Sequence, residues 1–95
     1  IVPVLRSTGF APDVIHCHDW HTALGPLLLR AAGATPRSVL TLHNIGYQGW
    51  FDPALVADLG LAPHRGQLAA APGAPGSPSF LATRIAHADV LTTVS

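Results

Sequence analysis

Apolar residues along this chain fall into short runs separated by Gly, Pro and polar turns. Val14 to His18 is a brief β-branched run, and Ser38 to His43 and Val90 to Val94 are two more. Their length and branching predict buried strands. Between the first two, Leu24, Leu27, Leu28 and Ala31 recur at i, i+3, i+4 and i+7, which predicts a helix with that face buried. Gly33 is a natural stop, and Pro26 is tolerated in the first turn if the helix begins near 21–23. Residues 1–9 read as the tail of a helix closed by Gly9. Asp52 and Pro53 start a short helix as N-cap and first position, ended by Gly60. Residues 62–79, rich in Ala, Gly and Pro, read as a loop. Ser79 caps a last helix whose buried side is expected to carry Phe80, Leu81, Ile85 and Ala88.

Strands alternating with helices predict an α/β fold with a parallel sheet. Near-continuous apolar strands suggest that both sheet faces are covered. In such a sheet all strand C-termini share one edge, and ligands bind there. The first strand ends at His18-Asp19, the second at His43-Asn44 and the third near Ser95. Asp19 and His43 are thereby placed on one rim, although they are far apart in sequence.

Composition narrows the class. The chain has 95 residues, enough for one modest domain. Five Arg balance five Asp, so no net charge draws it to nucleic acid or to an anionic membrane. A charged fraction of only 11% suggests a surface that packs against something else. With Ile1 in place of an initiator, the chain reads as a segment of a longer protein. Its one cysteine excludes an internal disulfide. No apolar run reaches the roughly 18–20 residues of a membrane span, and no signal peptide is visible. A cytoplasmic, reducing setting is the expectation.

The chemistry concentrates in His16-Cys17-His18-Asp19-Trp20-His21. One reading is a metal site. His16 and His18 point the same way on a strand, as two ligands of one ion would. The zinc-hydrolase pattern His-x-His-x-Asp-His, however, needs its carboxylate at position 20, which is Trp20. Glu is absent and the ligand set is incomplete. The other reading is a polar rim. There His16 is a buried, hydrogen-bonded strand residue and Cys17 a small buried one. Asp19 caps the next helix or faces a ligand, and Trp20 and His21 form a wall. His43 and Asn44, followed by Tyr47 and Gln48 in a Gly-bracketed loop, supply uncharged donors and acceptors suited to hydroxyl groups. His64 and His87 are expected to be structural or solvent-facing. Neither a dinucleotide fingerprint nor a Walker motif occurs.

Three segments together resemble the bacterial glycogen synthase and plant starch synthase family. They are Pro12-Asp13-Val14-Ile15-His16-Cys17-His18-Asp19-Trp20-His21-Thr22-Ala23, then Thr41-Leu42-His43-Asn44-Ile45-Gly46-Tyr47-Gln48-Gly49, then Ala88-Asp89-Val90-Leu91-Thr92-Thr93-Val94-Ser95. The resemblance implies a Rossmann-like, parallel-sheet part of the N-terminal lobe of a GT-B glycosyltransferase, spanning residues 1–95. It implies transfer of glucose from ADP-glucose to the non-reducing end of an α-1,4-glucan with retention. His43 and Asp19 would be catalytic, with Asp19, Trp20, His43, Asn44, Tyr47 and Gln48 binding substrate. No metal and no cofactor is implied beyond the nucleotide-sugar donor. The partners are that donor, the α-glucan acceptor and a C-terminal lobe, without which this segment is expected to be inactive. The family's Lys-Thr-Gly-Gly-Leu loop is absent, and Ala82-Thr83-Arg84 replaces a Lys-Gly/Ala-Gly-like stretch. The readings left beside this one are a metal-dependent hydrolase using His16, His18 and His21, a non-catalytic sugar-binding or regulatory fragment, and a retaining glycosyltransferase of another sugar-nucleotide class.

Overall fold

Three parallel strands form the centre of the protein, in the order β1-β2-β5. The computed structural model describes residues 1–71 and 74–94. Residues 72 and 73 of the expected loop, and the expected strand end at Ser95, lie outside them. The elements are α1 (Val2–Thr8), β1 (Val14–His18), a 3-10 turn (Trp20–Thr22), α2 (Gly25–Ala31), β2 (Arg37–Leu42), α3 (Leu55–Asp58), a second 3-10 segment (Ala62–Gln67), β3 (Ala70–Ala71), β4 (Ala74–Pro78), α4 (Phe80–His87) and β5 (Val90–Thr93). The parallel α/β architecture matches the sequence pattern. α1 ends at Gly9, whose φ of 68° suits a residue without a Cβ.

The register fixes which residues share a face. Cys17 pairs with Leu40, and Leu40 pairs with Leu91. Ile15, Cys17, Leu40 and Leu42 therefore line one side, where Leu29 of α2 and Leu81 of α4 join them in a single core. Both crossover helices lie on that side. The opposite side carries Val14, His16 and His18, all exposed, with Thr41 and Thr92 beside them. Within residues 1–95, β1, β2 and β5 are added in one direction, and both crossovers pack on the same face, so these residues themselves cover only one side of the sheet. His16 is exposed rather than buried, while Cys17 is buried as expected.

Two helix faces differ from the periodicity. α2 begins at Gly25, after the 3-10 turn has consumed residues 20–22, so it is seven residues long and rotated from the expected phase. Pro26, Leu27 and Leu29 are buried, whereas Leu28 and Ala31 are exposed. In α4 the Ser79 hydroxyl accepts from the Ala82 N–H at 3.1 Å, the expected cap. Its buried side is Phe80, Leu81, Thr83 and Arg84, with Ile85 exposed. The polar pair can turn inward because it finds partners. Thr83 Oγ1 donates to Ser79 O and accepts from Ala69 N, and Arg84 Nη1 donates to Ser38 Oγ at 3.2 Å. Asp52 accepts from Ala54 N at 2.8 Å, one turn ahead of α3 rather than as its N-cap.

The segment expected to be a loop at 62–79 has structure of its own. A 3-10 segment is followed by an antiparallel pairing of β3 with β4. Ser79 N donates to Ala69 O at 3.0 Å, which ties this ribbon to the start of α4. Ala, Gly and Pro carry little periodic signal, so pairing imposed by tertiary contacts was not readable there.

Arg84 is the unusual member of the interior. Its side chain is 1% exposed, and Nε and Nη2 have no hydrogen-bond partner among the described residues. Burial pushes its pKa below the usual guanidinium value, opposed by the Cys17 thiol and the Asp89 carboxylate. A buried cation with unpaired N–H groups costs more than an apolar side chain of similar length. Arg84→Met is therefore expected to hold or raise the thermal unfolding midpoint. Arg84→Ala, which leaves a cavity, is expected to cost about 2–4 kcal/mol. A midpoint that falls as far for Met as for Ala would show the guanidinium to be a net stabiliser.

Candidate functional site

The strand C-termini meet at a rim held together by one carboxylate. Backbone pairing continues past the strands, with Asp19 N donating to Thr41 O at 3.1 Å and Val94 N to Leu42 O at 3.3 Å. Asp19 then turns sharply, at φ 51° and ψ −167°. It is the sole non-glycine residue at positive φ among the described residues. This region is nearly restricted to glycine and costs about 1–3 kcal/mol. The turn aims the carboxylate across the rim. Asp19 Oδ1 accepts from His43 N at 2.7 Å and from Asn44 N at 3.2 Å. No side-chain cap to the following turn is made, so the capping role considered for Asp19 is replaced by this bridge.

Electrostatics follow the geometry. The His43 N–H holds the Asp19 carboxyl below the usual carboxylate range, helped by the Asn44 N–H and by the nearby His43 and His21 imidazoles, while partial burial opposes them.

His43 is exposed, and its Nε2 lies 2.9 Å from His18 Nδ1. His18 in turn lies against His16, with ring centroids 4.3 Å apart. His16 Nε2 contacts Thr41 Oγ1 at 2.7 Å, and Thr41 Oγ1 contacts Thr92 Oγ1 at 2.7 Å. A polar ladder thus crosses the open face of the sheet toward the rim. His21 takes no part in it and stacks on Trp20 at 4.2 Å. The three histidines of the metal reading therefore face three different partners. No group of three His, Cys, Asp or Glu side chains among the described residues could hold an ion.

The loop after β2 is set from both ends. At its start, Asn44 Oδ1 accepts from Gly46 N at 2.9 Å, a local turn. At its far end, the Gln48 and Gly49 carbonyls accept from Leu81 N at 3.1 Å and Phe80 N at 3.2 Å. These are first-turn donors of α4 that have no partner within the helix. Gly49 sits at φ 62°, and a Cβ there would lie 2.7 Å from the Trp20 ring, so the indole can approach only because this residue is glycine. Trp20, Tyr47, Trp50 and Phe51 line a cavity of about 330 Å³ beside the rim.

The candidate residues therefore separate. Asp19 and His43 are brought together, while Trp20, the next residue after Asp19, lines the neighbouring cavity against Gly49 and Phe51. Asn44 and Gln48 spend side-chain groups on the loop itself, Gln48 Nε2 donating to Ile45 O at 2.6 Å. Tyr47 is 68% exposed and flanks the cavity. Two residues were not singled out for this site. His18 appeared only in the metal reading, although strand alternation already put it at the rim. Trp50 was legible as an aromatic following Gly49. His64 and His87 lie away from the rim, His87 Nε2 meeting Gln67 O at 2.9 Å.

The depressed Asp19 pKa sets a pH dependence. A carboxylate whose folded pKa lies below its unfolded value adds stability above the unfolded value, and that stability is lost as pH falls through the folded one. Wild type is expected to exceed Asp19→Asn in stability above about pH 5, and the gap should close on acidification below about pH 4. Denaturant unfolding of both proteins across that range checks it. A gap independent of pH would rule out the carboxylate as its source.

Comparison with known proteins agrees with this architecture. The profile of the starch synthase catalytic domain family matches residues 1–95. The chain is 46% identical over 83 residues to a glycogen synthase of Ralstonia nicotianae (strain ATCC BAA-1114 / GMI1000), covering 87% of the chain and 15% of that protein. It is 44% identical over 88 residues to a glycogen synthase of Albidiferax ferrireducens (strain ATCC BAA-621 / DSM 15236 / T118), covering 88% and 18%. It is 37% identical over 110 aligned residues to glycogen synthase 2 of Geobacter sulfurreducens (strain ATCC 51573 / DSM 12127 / PCA), covering 100% and 21%. The chain therefore spans about a fifth or less of the length of these relatives. With the whole chain matched by the family profile and a parallel sheet whose strand ends bring Asp19 to His43, the protein belongs to the starch synthase catalytic domain family.

Proposed function

We propose that residues 1–95 are the inner part of the N-terminal lobe of a retaining glucosyltransferase. Its donor is ADP-glucose and its acceptor the non-reducing end of an α-1,4-glucan. The observation that carries this reading is the Asp19 bridge, which fixes the His43 and Asn44 backbone at the strand C-termini, where open α/β sheets bind ligands. Family membership supports the substrate class.

The chain's own residues have distinct tasks in this proposal. Asp19 Oδ1 is spent on the two backbone N–H groups, which leaves Oδ2 to accept from a sugar hydroxyl. His43 offers a ring nitrogen to a hydroxyl and its backbone carbonyl to the positive charge that develops at the anomeric carbon. Trp20, Tyr47 and Trp50 line an open depression of about 330 Å³, where aromatic side chains are available to a sugar ring. The leaving phosphate of the donor takes the acceptor's proton, so no protein nucleophile is required. A second lobe supplies the nucleotide contacts, and the site is complete only between the two. No helix among the described residues is long and apolar enough to cross a membrane. A cytoplasmic setting belongs to the proposal.

In the complete enzyme, His43→Ala is expected to lower kcat roughly a hundredfold with a smaller change in KM. The assay is incorporation of glucose from ADP-glucose into glycogen. Unchanged turnover would remove His43 from the site.

A further inference from the structure

His18 contacts the candidate catalytic side chain directly and has no role in the site as proposed so far. We infer that His18 is a positioning residue, which holds His43 as its Nε2–H tautomer and leaves His43 Nδ1 as the acceptor at the rim. The relevance of this to catalysis rests on the role given to His43 above; the coupling itself does not.

The 2.9 Å contact joins His18 Nδ1 to His43 Nε2. A hydrogen bond between two ring nitrogens needs one N–H and one lone pair. A neutral imidazole has one of each, so the tautomers of the two rings are locked together. If His43 Nε2 donates, His18 Nδ1 accepts and His18 carries its proton on Nε2. If His18 Nδ1 donates, both rings carry the proton on Nδ1. The second arrangement requires the less stable tautomer of histidine twice. The first requires the more stable one twice, and is the state assigned.

The surroundings keep this contact aligned. The His18 ring lies against His16 at 4.3 Å between centroids. His16 is anchored through Thr41 to Thr92 on the neighbouring strands. On the other side, the backbone of His43 is pinned by Asp19 at 2.7 Å. With both rings held from outside the pair, the tautomer of one is imposed on the other. His43 Nδ1 has no partner among the described residues and remains a lone pair. It can accept a hydrogen bond from a substrate hydroxyl and cannot donate one. A ligand atom able only to accept would be repelled there.

The protein labelled with 15N-histidine tests this through long-range proton–nitrogen correlation of the imidazoles, recorded across a pH series in which the tautomer is read from the neutral-ring limit. His43 is expected to show a protonated Nε2 and an unprotonated Nδ1. His18→Phe keeps a ring against His16 but removes the acceptor, and His43 should relax to a mixture of tautomers. His18→Asn places a carboxamide oxygen where Nδ1 was and should restore the single tautomer, which a merely structural role for His18 would not explain. A His43 that carries its proton on Nδ1 in the wild type, or whose tautomer is the same in His18→Phe, would overturn the inference. If His18→Phe fails to fold, His18→Leu takes its place, because Nε2–H is the more stable tautomer without any partner and only loss of the acceptor shows whether His18 imposes it. Loss of the single tautomer with glucosyl transfer unchanged would leave the coupling standing and count against the catalytic role of His43.

Discussion

The rim depends on one carboxylate doing two things at once. Asp19 leaves β1 in a backbone conformation that costs about 1–3 kcal/mol for a residue with a Cβ. The same turn places Oδ1 on the His43 and Asn44 N–H groups. Hydrogen bonds to a charged acceptor contribute about 1.5–3 kcal/mol each when shielded, and less at a half-exposed position such as this. Both bonds act against the strain, which is of the same order. The strand ends are therefore joined by a side chain at the point where the sheet's own hydrogen bonds run out. Without it the loop from Asn44 to Trp50 would be anchored only at its far end, on the first turn of α4.

The one-sided sheet gives this rim its chemical character. Because α2 and α4 pack on one face, His16, His18 and Thr92 stand exposed on the other and, with the buried Thr41, form a chain of contacts that ends at His43. On the covered face, Ser38 satisfies Asp89 through both its hydroxyl and its N–H, which hold the Asp89 carboxyl below its usual range. That network joins β2 to the start of β5. It lies at the opposite end of the strands from the rim, so the polar groups that stabilise the fold and those that form the candidate site are separated along the sheet.

Much of this was legible in the sequence where a physical signal was strong. β1 matched the expected residues because Val14 and Ile15 are β-branched and the run is bounded by Pro12 and the turn at Asp19. The common rim of Asp19 and His43 followed from parallel topology alone. The signal was weaker where tertiary contacts override local pattern. Leu28 and Ala31 fit the helical period yet face outward, because the 3-10 turn at Trp20 shifts the phase of α2. Arg84 is buried against every expectation for a charged residue, since Ser38 is present to receive one N–H. His16 reads as interior from strand position, but both crossover helices of residues 1–95 pack on the other face, a matter of topology that its own sequence neighbourhood does not state. The Asp19 bridge could be placed only approximately, because a cap and a cross-strand acceptor look alike in sequence and differ in the sign of φ.

Amide hydrogen exchange at His43 and Asn44 addresses the Asp19 bridge most directly. Both amides should be protected in the wild type and exchange much faster in Asp19→Ala, while the Leu40 amide, inside the sheet, keeps its protection. Equal exchange at His43 and Asn44 in the two proteins would mean that the rim is held by something other than the carboxylate. A simultaneous loss at Leu40 would mean that Asp19 supports the whole sheet rather than the site at its edge.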